Sequence, residues 1–254
     1  MGREACAVGR KKREWPLFFL CLSAALYGLA LIFSATRYEE TLHGLVGKQA
    51  VALGGGVVLC LLLSVLDVRK LLEKLWWLLP VVNVGLLLLL VPLGNDDGTG
   101  NKSWISLPGG GFNLQPAEVV KISFLLLLAL QLRKLGEKGL NRPKAVFLLL
   151  LHVLALCALL YGVSGDIGMV AVYLAVYLVM LWSAGVHPLW LLGEVAAGVG
   201  AVVLLWPRLP EYVCMRFLVV FDHGLDPLGK GFQQERSLLA IGSGQVTGQG
   251  YLQG

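Results

Sequence analysis

The feature that most constrains this chain is a succession of apolar runs, each about twenty residues long, divided by short polar turns. As an α-helix, such a run matches the hydrocarbon thickness of a bilayer and satisfies its own backbone hydrogen bonds. Seven runs have this character, roughly 15–35, 46–66, 75–93, 114–133, 145–163, 167–185 and 189–206. Apolar residues make up 57% of the sequence and charged ones only 15%, outside the range of a soluble domain. The expected fold is an all-α integral membrane protein, a polytopic helical bundle of seven transmembrane helices. A basic tail, 1–14, precedes the membrane domain at 15–206, and a more polar segment, 207–254, follows it.

The charge distribution orients this bundle. The formal net charge is +5, but the basic residues cluster in alternate connections. With the N-terminus inside, the inner segments hold Arg3, Arg10, Lys11, Lys12 and Arg13, then Arg69, Lys70 and Lys74, then Arg133, Lys134, Lys138, Arg142 and Lys144. The outer ones hold fewer. The positive-inside rule thus predicts a cytoplasmic N-terminus and places Trp104 and the 207–254 segment outside, as the first part of a large extracytoplasmic loop. Nucleic acid is excluded as a partner on this distribution. The first run is longer than a signal-peptide core and reads as an uncleaved span. Cysteines 6, 21, 60, 157 and 214 show no paired spacing and read as small apolar fillers. The four histidines are scattered singly, so no metal site is expected.

One stretch, 100–133, carries polar groups into this apolar setting. Its first half is expected to be a loop, broken by Pro108 and the glycines at 109–111, without the Gly-Lys-Ser/Thr of a phosphate loop. Gln115-Pro116 is a helix start, because proline has no amide hydrogen to leave unpaired. Glu118 and Lys121 then project from one side of the helix, with Lys121 about 8 Å inside it. An intramembrane charge is a candidate functional group. The alternative is a snorkelling lysine with a glutamate favoured by the helix dipole. Asp166 has two readings as well, a cap for the sixth span or a ligand-facing carboxylate. Glu194 lies near the inner end of the seventh span and reads as a solvated or paired side chain. Gly54-Gly55-Gly56 in the second span permits close helix packing, and Trp76-Trp77 suits an aromatic belt.

The polar stretch resembles the signature of the SEDS family (shape, elongation, division and sporulation), whose members include RodA, FtsW and SpoVE. Their pattern, G-x-x-R-W-I followed by Q-P-[SA]-E-x-x-K, is met by Trp104, Ile105, Gln115, Pro116, Glu118 and Lys121. Ser103 stands in place of the arginine, with Lys102 one residue earlier. The family's Q-P-D-L-G-T turn is matched at Asp166 and Gly168, with Gly165 replacing the proline. A third segment is similar in register at Arg216, Asp226, Pro227, Gly229, Gly231, Gln233, Ser237, Ala240 to Gly244, Gly248 and Gly250, while Gln249 replaces a lysine.

The resemblance implies a peptidoglycan glycosyltransferase that polymerises lipid II at the outer face of the bacterial cytoplasmic membrane, in elongation, division or sporulation. It implies substrate-binding roles for Lys102, Trp104, Glu118, Lys121, Asp166, Arg216, Gln233 and Ser237, and a class B penicillin-binding protein as partner beside the membrane lipids. Lysine, arginine or a divalent cation would stabilise the diphosphate leaving group; no other cofactor is implied. The family has about ten spans, and its catalytic aspartate lies in an L-P-x-x-H-T-D-F segment that no residue here matches. In register with the family that aspartate is expected beyond Gly254, so no catalytic residue is assigned within the sequence. The chain is therefore expected to be a C-terminally truncated member, without activity as given. Two rival readings are a lipid-linked precursor flippase, for which intramembrane charges are equally at home, and an inactive truncated scaffold.

Overall fold

The structure, a computed structural model, describes residues 15–37, 43–95, 101–106, 112–137, 139–208, 211–222 and 230–252. The basic tail, the Pro108–glycine segment and Asp226 to Gly229 lie outside the described residues. So does Gly254, and with it the junction beyond which the family aspartate is expected. The chain divides into two compact units, one of residues 1–69 with 236–254 and the other of residues 70–235.

In the first unit, α1 (Trp15–Thr36) and α2 (His43–Val65) pack together as a hairpin. Both are apolar throughout, and most of their large side chains are exposed, as befits helices whose outer surface meets lipid. The Leu252 amide donates to Ser34 Oγ at 2.8 Å, tying the last described residues to the end of α1. The 207–254 segment, expected as loop, is largely helical over its described residues: a 3-10 turn at Trp206–Arg208 is followed by α10 (Glu211–Phe221) and α11 (Lys230–Gly244).

The second unit holds the core. The inner turn expected around residues 67–74 is a short helix, α3 (Val68–Leu75), whose Glu73 pairs with Arg133 at 2.8 Å. The expected third span is α4 (Leu78–Leu88) and α5 (Leu90–Leu93), divided at Leu89. Pro92 supplies the physical reason, since it cannot donate to the Leu88 carbonyl. The connection expected to be plain loop instead contains a small antiparallel sheet, β1 (Gly94–Asn95), β2 (Trp104–Ser106) and β3 (Asn113–Leu114), in the order β1-β2-β3. Gly94 pairs with Ile105, and Ile105 with Leu114. Gly94 is needed where it stands, because a Cβ there would lie 2.3 Å from the Leu90 carbonyl oxygen.

Three helices then start on proline: α6 (Pro116–Gly136), α7 (Pro143–Ser164) and α9 (Pro188–Leu205). Proline at the first position gives up no hydrogen bond. Between α7 and α9 runs α8 (Ile167–Ser183), capped by Asp166. The buried stripes of α6, α7 and α8 recur every three or four residues: Val120, Phe124 and Leu128; Leu149, Val153, Leu156 and Leu160; Tyr173, Tyr177 and Leu181. They meet Leu87 and Leu90 in one cluster.

Every expected span is thus helical over most of its length. Among the described residues four helices, Trp15–Thr36, Gly44–Val65, Pro143–Ser164 and Pro188–Arg208, are long and apolar enough to cross a membrane, and Leu78–Leu93 and Ile167–Ser183 are shorter apolar helices. The 21 residues of α6 would suffice in length, but the helix carries Glu118, Lys121, Arg133 and Lys134.

Candidate functional site

The polar residues of the 100–133 stretch gather at one end of the second unit, around the α7–α8 turn. α7 stops at Ser164 because Gly165 adopts a left-handed conformation, φ +70°, and returns its amide to the Tyr161 carbonyl at 2.8 Å. Proline, which the family pattern has here, is locked near φ −65° and could not make this turn. Asp166 follows as the N-cap of α8, its Oδ1 accepting from the Met169 amide at 3.1 Å. Its Oδ2 accepts from the Ser103 hydroxyl at 3.3 Å and the Gln115 side-chain amide at 3.5 Å. The Lys102 amide donates to the Ser164 carbonyl at 3.2 Å. The segment leading into β2 is therefore docked on the turn, with Asn101 and Ser103 buried and the Lys102 side chain exposed.

Gln115 also occupies the N-cap position of α6, so the same carboxylate touches the start of the helix bearing Glu118 and Lys121. The Tyr173 hydroxyl adds a second tie between α6 and α8, donating to the Ala117 carbonyl at 2.7 Å from a buried position. Lys121 Nζ lies 2.8 Å from Glu118 Oε2, with the lysine side chain 22% exposed and the glutamate 55%. An ion pair at the start of a half-buried helix face holds a cation there without burying a bare charge.

Of the eight candidate residues, Lys102, Trp104, Glu118, Lys121 and Asp166 therefore sit at the same end of the second unit. Trp104 is half-buried on β2. Arg216 lies on α10 and Gln233 on α11, but their side chains are outside the described residues. Ser237 is exposed on α11 and belongs to the first unit.

Sequence reasoning did not assign Ser103, Gln115 or Tyr173 to the site. Ser103 was visible only as a departure from the arginine pattern, and its partner is 63 residues away. Deeper in the bundle, three further polar pairs join helices: Asn83 with Ser123, Gln131 with His152 at 2.8 Å, and Tyr177 with Glu194 at 3.1 Å. Glu194, expected to be solvated or paired, is paired through Oε1, while its buried Oε2 has no hydrogen-bond partner. Among the described residues no group of three His, Cys, Asp or Glu side chains converges to hold a metal.

Helices this apolar define a multi-pass helical membrane protein, and the polar cap of aspartate, lysine and tryptophan at one end of the packed unit is its candidate site. The FtsW/RodA/SpoVE family, described as "Cell cycle protein", matches residues 15–254, and the chain belongs to it. Among curated relatives it is 29% identical over 248 residues to the "Probable peptidoglycan glycosyltransferase FtsW" of Alcanivorax borkumensis, a match covering 92% of this chain and 62% of the relative. It is 37% identical over 169 residues to the protein of the same name from Halorhodospira halophila, covering 65% of this chain and 41% of that one. The chain thus spans at most about three fifths of the length of these relatives. Among solved structures, it resembles a chain from a study of how a peptidoglycan synthase complex coordinates polymerization and crosslinking, with TM-score 0.71 and 31% identity over 92% of this chain and 66% of the other. The rod shape determining protein RodA of Thermus thermophilus gives TM-score 0.56 and 27% identity, over 76% of this chain and 59% of RodA.

Proposed function

We propose that this chain is part of a peptidoglycan glycosyltransferase that takes a lipid-linked diphosphate disaccharide, lipid II, at the outer face of the bacterial cytoplasmic membrane. The observation that carries the reading is the Glu118–Lys121 ion pair in the first turns of α6, beside the Lys102–Trp104 segment docked on the α7–α8 turn. Glycosyl transfer from a diphosphate carrier needs cations near the leaving group, because negative charge develops there as the bond breaks. Lys121 and Lys102 supply them at the end of the helix, where a headgroup would lie while its polyprenyl tail stays in the bilayer. Arg216 is proposed as a third cation on the family resemblance. A divalent cation would enter with the substrate's diphosphate, since the described residues bring no acidic cage together. The acceptor hydroxyl must lose a proton to a base, and that role is assigned to no residue up to Gly254.

The names of the relatives support this reading, and the peptidoglycan synthase complex supports a penicillin-binding protein of class B as the partner. A flippase is less well supported. The relatives it matches are named as glycosyltransferases, and inside the bundle Gln131–His152 and Tyr177–Glu194 bond each other, with Glu194 Oε2 left without a partner.

The test is lipid II binding by the purified chain in nanodiscs. Lys121→Ala is expected to weaken binding about tenfold or more and Lys121→Arg to retain most of it, since the diphosphate contact is charge-assisted. Unchanged binding in both variants would make Lys121 a snorkelling residue and remove the basis of the reading.

A further inference from the structure

The Asp166 carboxylate is already engaged by its own chain. A carboxylate offers about four lone-pair sites. Three of them accept hydrogen bonds here, from Met169 at 3.1 Å, Ser103 at 3.3 Å and Gln115 at 3.5 Å. The donors belong to three separate segments: the first turn of α8, the lead-in to β2, and the N-cap position of α6. Ser103 is only 4% exposed, so its hydroxyl has little access to water as an alternative partner. The Asp166 amide is held as well, donating to Ser164 Oγ at 3.2 Å.

We propose that Asp166 is a positioning residue, and that Ser103 and Gln115 complete it as a clamp fixing the Lys102 segment and the Glu118–Lys121 turn against the start of α8. The inference rests on the site reading above and goes beyond it by giving the aspartate no direct part in binding the diphosphate. It also gives Ser103 a purpose in the place where the family pattern has arginine. A hydroxyl holds Oδ2 by a neutral donor and leaves the positive charge of the site to Lys102 and Lys121. Cations on two separate elements can grip one diphosphate only while their separation is held, and a misplacement of about 1 Å can cost about 100-fold.

Asparagine at 166 separates a clamp from a charge. Its Oδ1 still accepts from the Met169 amide. Its Nδ2 can donate to Ser103 Oγ and, once the Gln115 amide turns over, to Gln115 Oε1. The clamp therefore survives without the negative charge, whereas binding a cation or accepting a proton does not.

The experiment uses the full chain in nanodiscs, with native cysteines replaced and nitroxide labels at Lys102→Cys and Val119→Cys. The distance between the labels is measured for the Asp166→Asn, Asp166→Ala and Ser103→Ala variants. Lipid II affinity is measured in parallel on the same variants without the labels, so that Lys102 is intact. Asp166→Asn is expected to keep a narrow distance distribution and bind within about threefold of the unsubstituted chain. Asp166→Ala should broaden the distribution and weaken binding about tenfold or more, and Ser103→Ala, which removes one of the three donors to Asp166, should broaden it less. An Asp166→Asn chain that binds as poorly as Asp166→Ala while its distances stay narrow would overturn the proposal, because the charge would then matter and the geometry would not. Narrow distances in all three variants would overturn it too. The label distances need no ligand, so they test the clamp even if Lys121→Ala shows the substrate reading to be wrong.

Discussion

Gly165 shows how one residue can look like a loss in the sequence and be a requirement in the structure. The family pattern has proline there, but this chain ends α7 with φ +70° at that position and an amide donated to Tyr161. A Cβ in the left-handed region costs about 1–2 kcal/mol, so Gly165→Ala should lower stability by about that amount. Gly165→Pro, although it restores the family residue, should cost more. It forbids the angle and also removes the donor. Thermal unfolding in detergent ranks the two variants, and a proline variant as stable as the alanine one would refute this account of the turn. Glycine after a helix can be read from sequence. The bonds from Asp166 to Ser103 and Gln115 cannot, because they join positions 63 and 51 residues apart and no local pattern records them. The cap-or-ligand choice for Asp166 was open in the sequence for the same reason: both readings need only an aspartate before a helix.

Among the helices and strands, the helices were legible and their faces were not. Apolar length marks a membrane helix because the backbone must bond itself in lipid. The same apolarity hides which side packs, since lipid tails and protein interior select the same side chains. On α6, Ile122 is 62% exposed while Leu128 is fully buried, and on α7 Phe147 is 62% exposed while Leu149 is fully buried. Single cysteines at 122 and 147 in the full chain are therefore expected to react readily with a lipid-soluble maleimide, and those at 128 and 149 much more slowly. Equal reactivity at all four would overturn the packing of α6 on its neighbours. The break between α4 and α5 was partly visible, as Pro92 marks it. The sheet was hidden, because strands of two or three residues are too short to show alternation. Tyr173 and Tyr177 stand four apart in an apolar run, a spacing that could have pointed to a polar-tipped buried face on α8.

From one end of the bundle to the other, the helix directions put Lys102 and Asp166 together and leave Arg133, Arg142 and Lys144 at the opposite end of the second unit. The positive-inside rule assigns the latter to the cytoplasm. In a chain lacking its native cysteines, Lys102→Cys is expected to be labelled by an impermeant reagent in intact cells, and Lys144→Cys only after the membrane is opened. The reverse pattern would turn the bundle over and put the site on the wrong side for an extracytoplasmic substrate. That the chain is a polytopic helical membrane protein, where most of its helices run, and which family it belongs to were all readable from the residues in order. Those properties depend on local composition, on proline and glycine at helix ends, and on motifs of fixed spacing. Which helix faces form the core, the bonding of Asp166 to Ser103 and Gln115, and the tie from Tyr173 to the first turn of α6 emerge only in the folded bundle. These are contacts between segments far apart in the chain. Their partners are chosen by geometry after the helices pack, so no single stretch of sequence contains them.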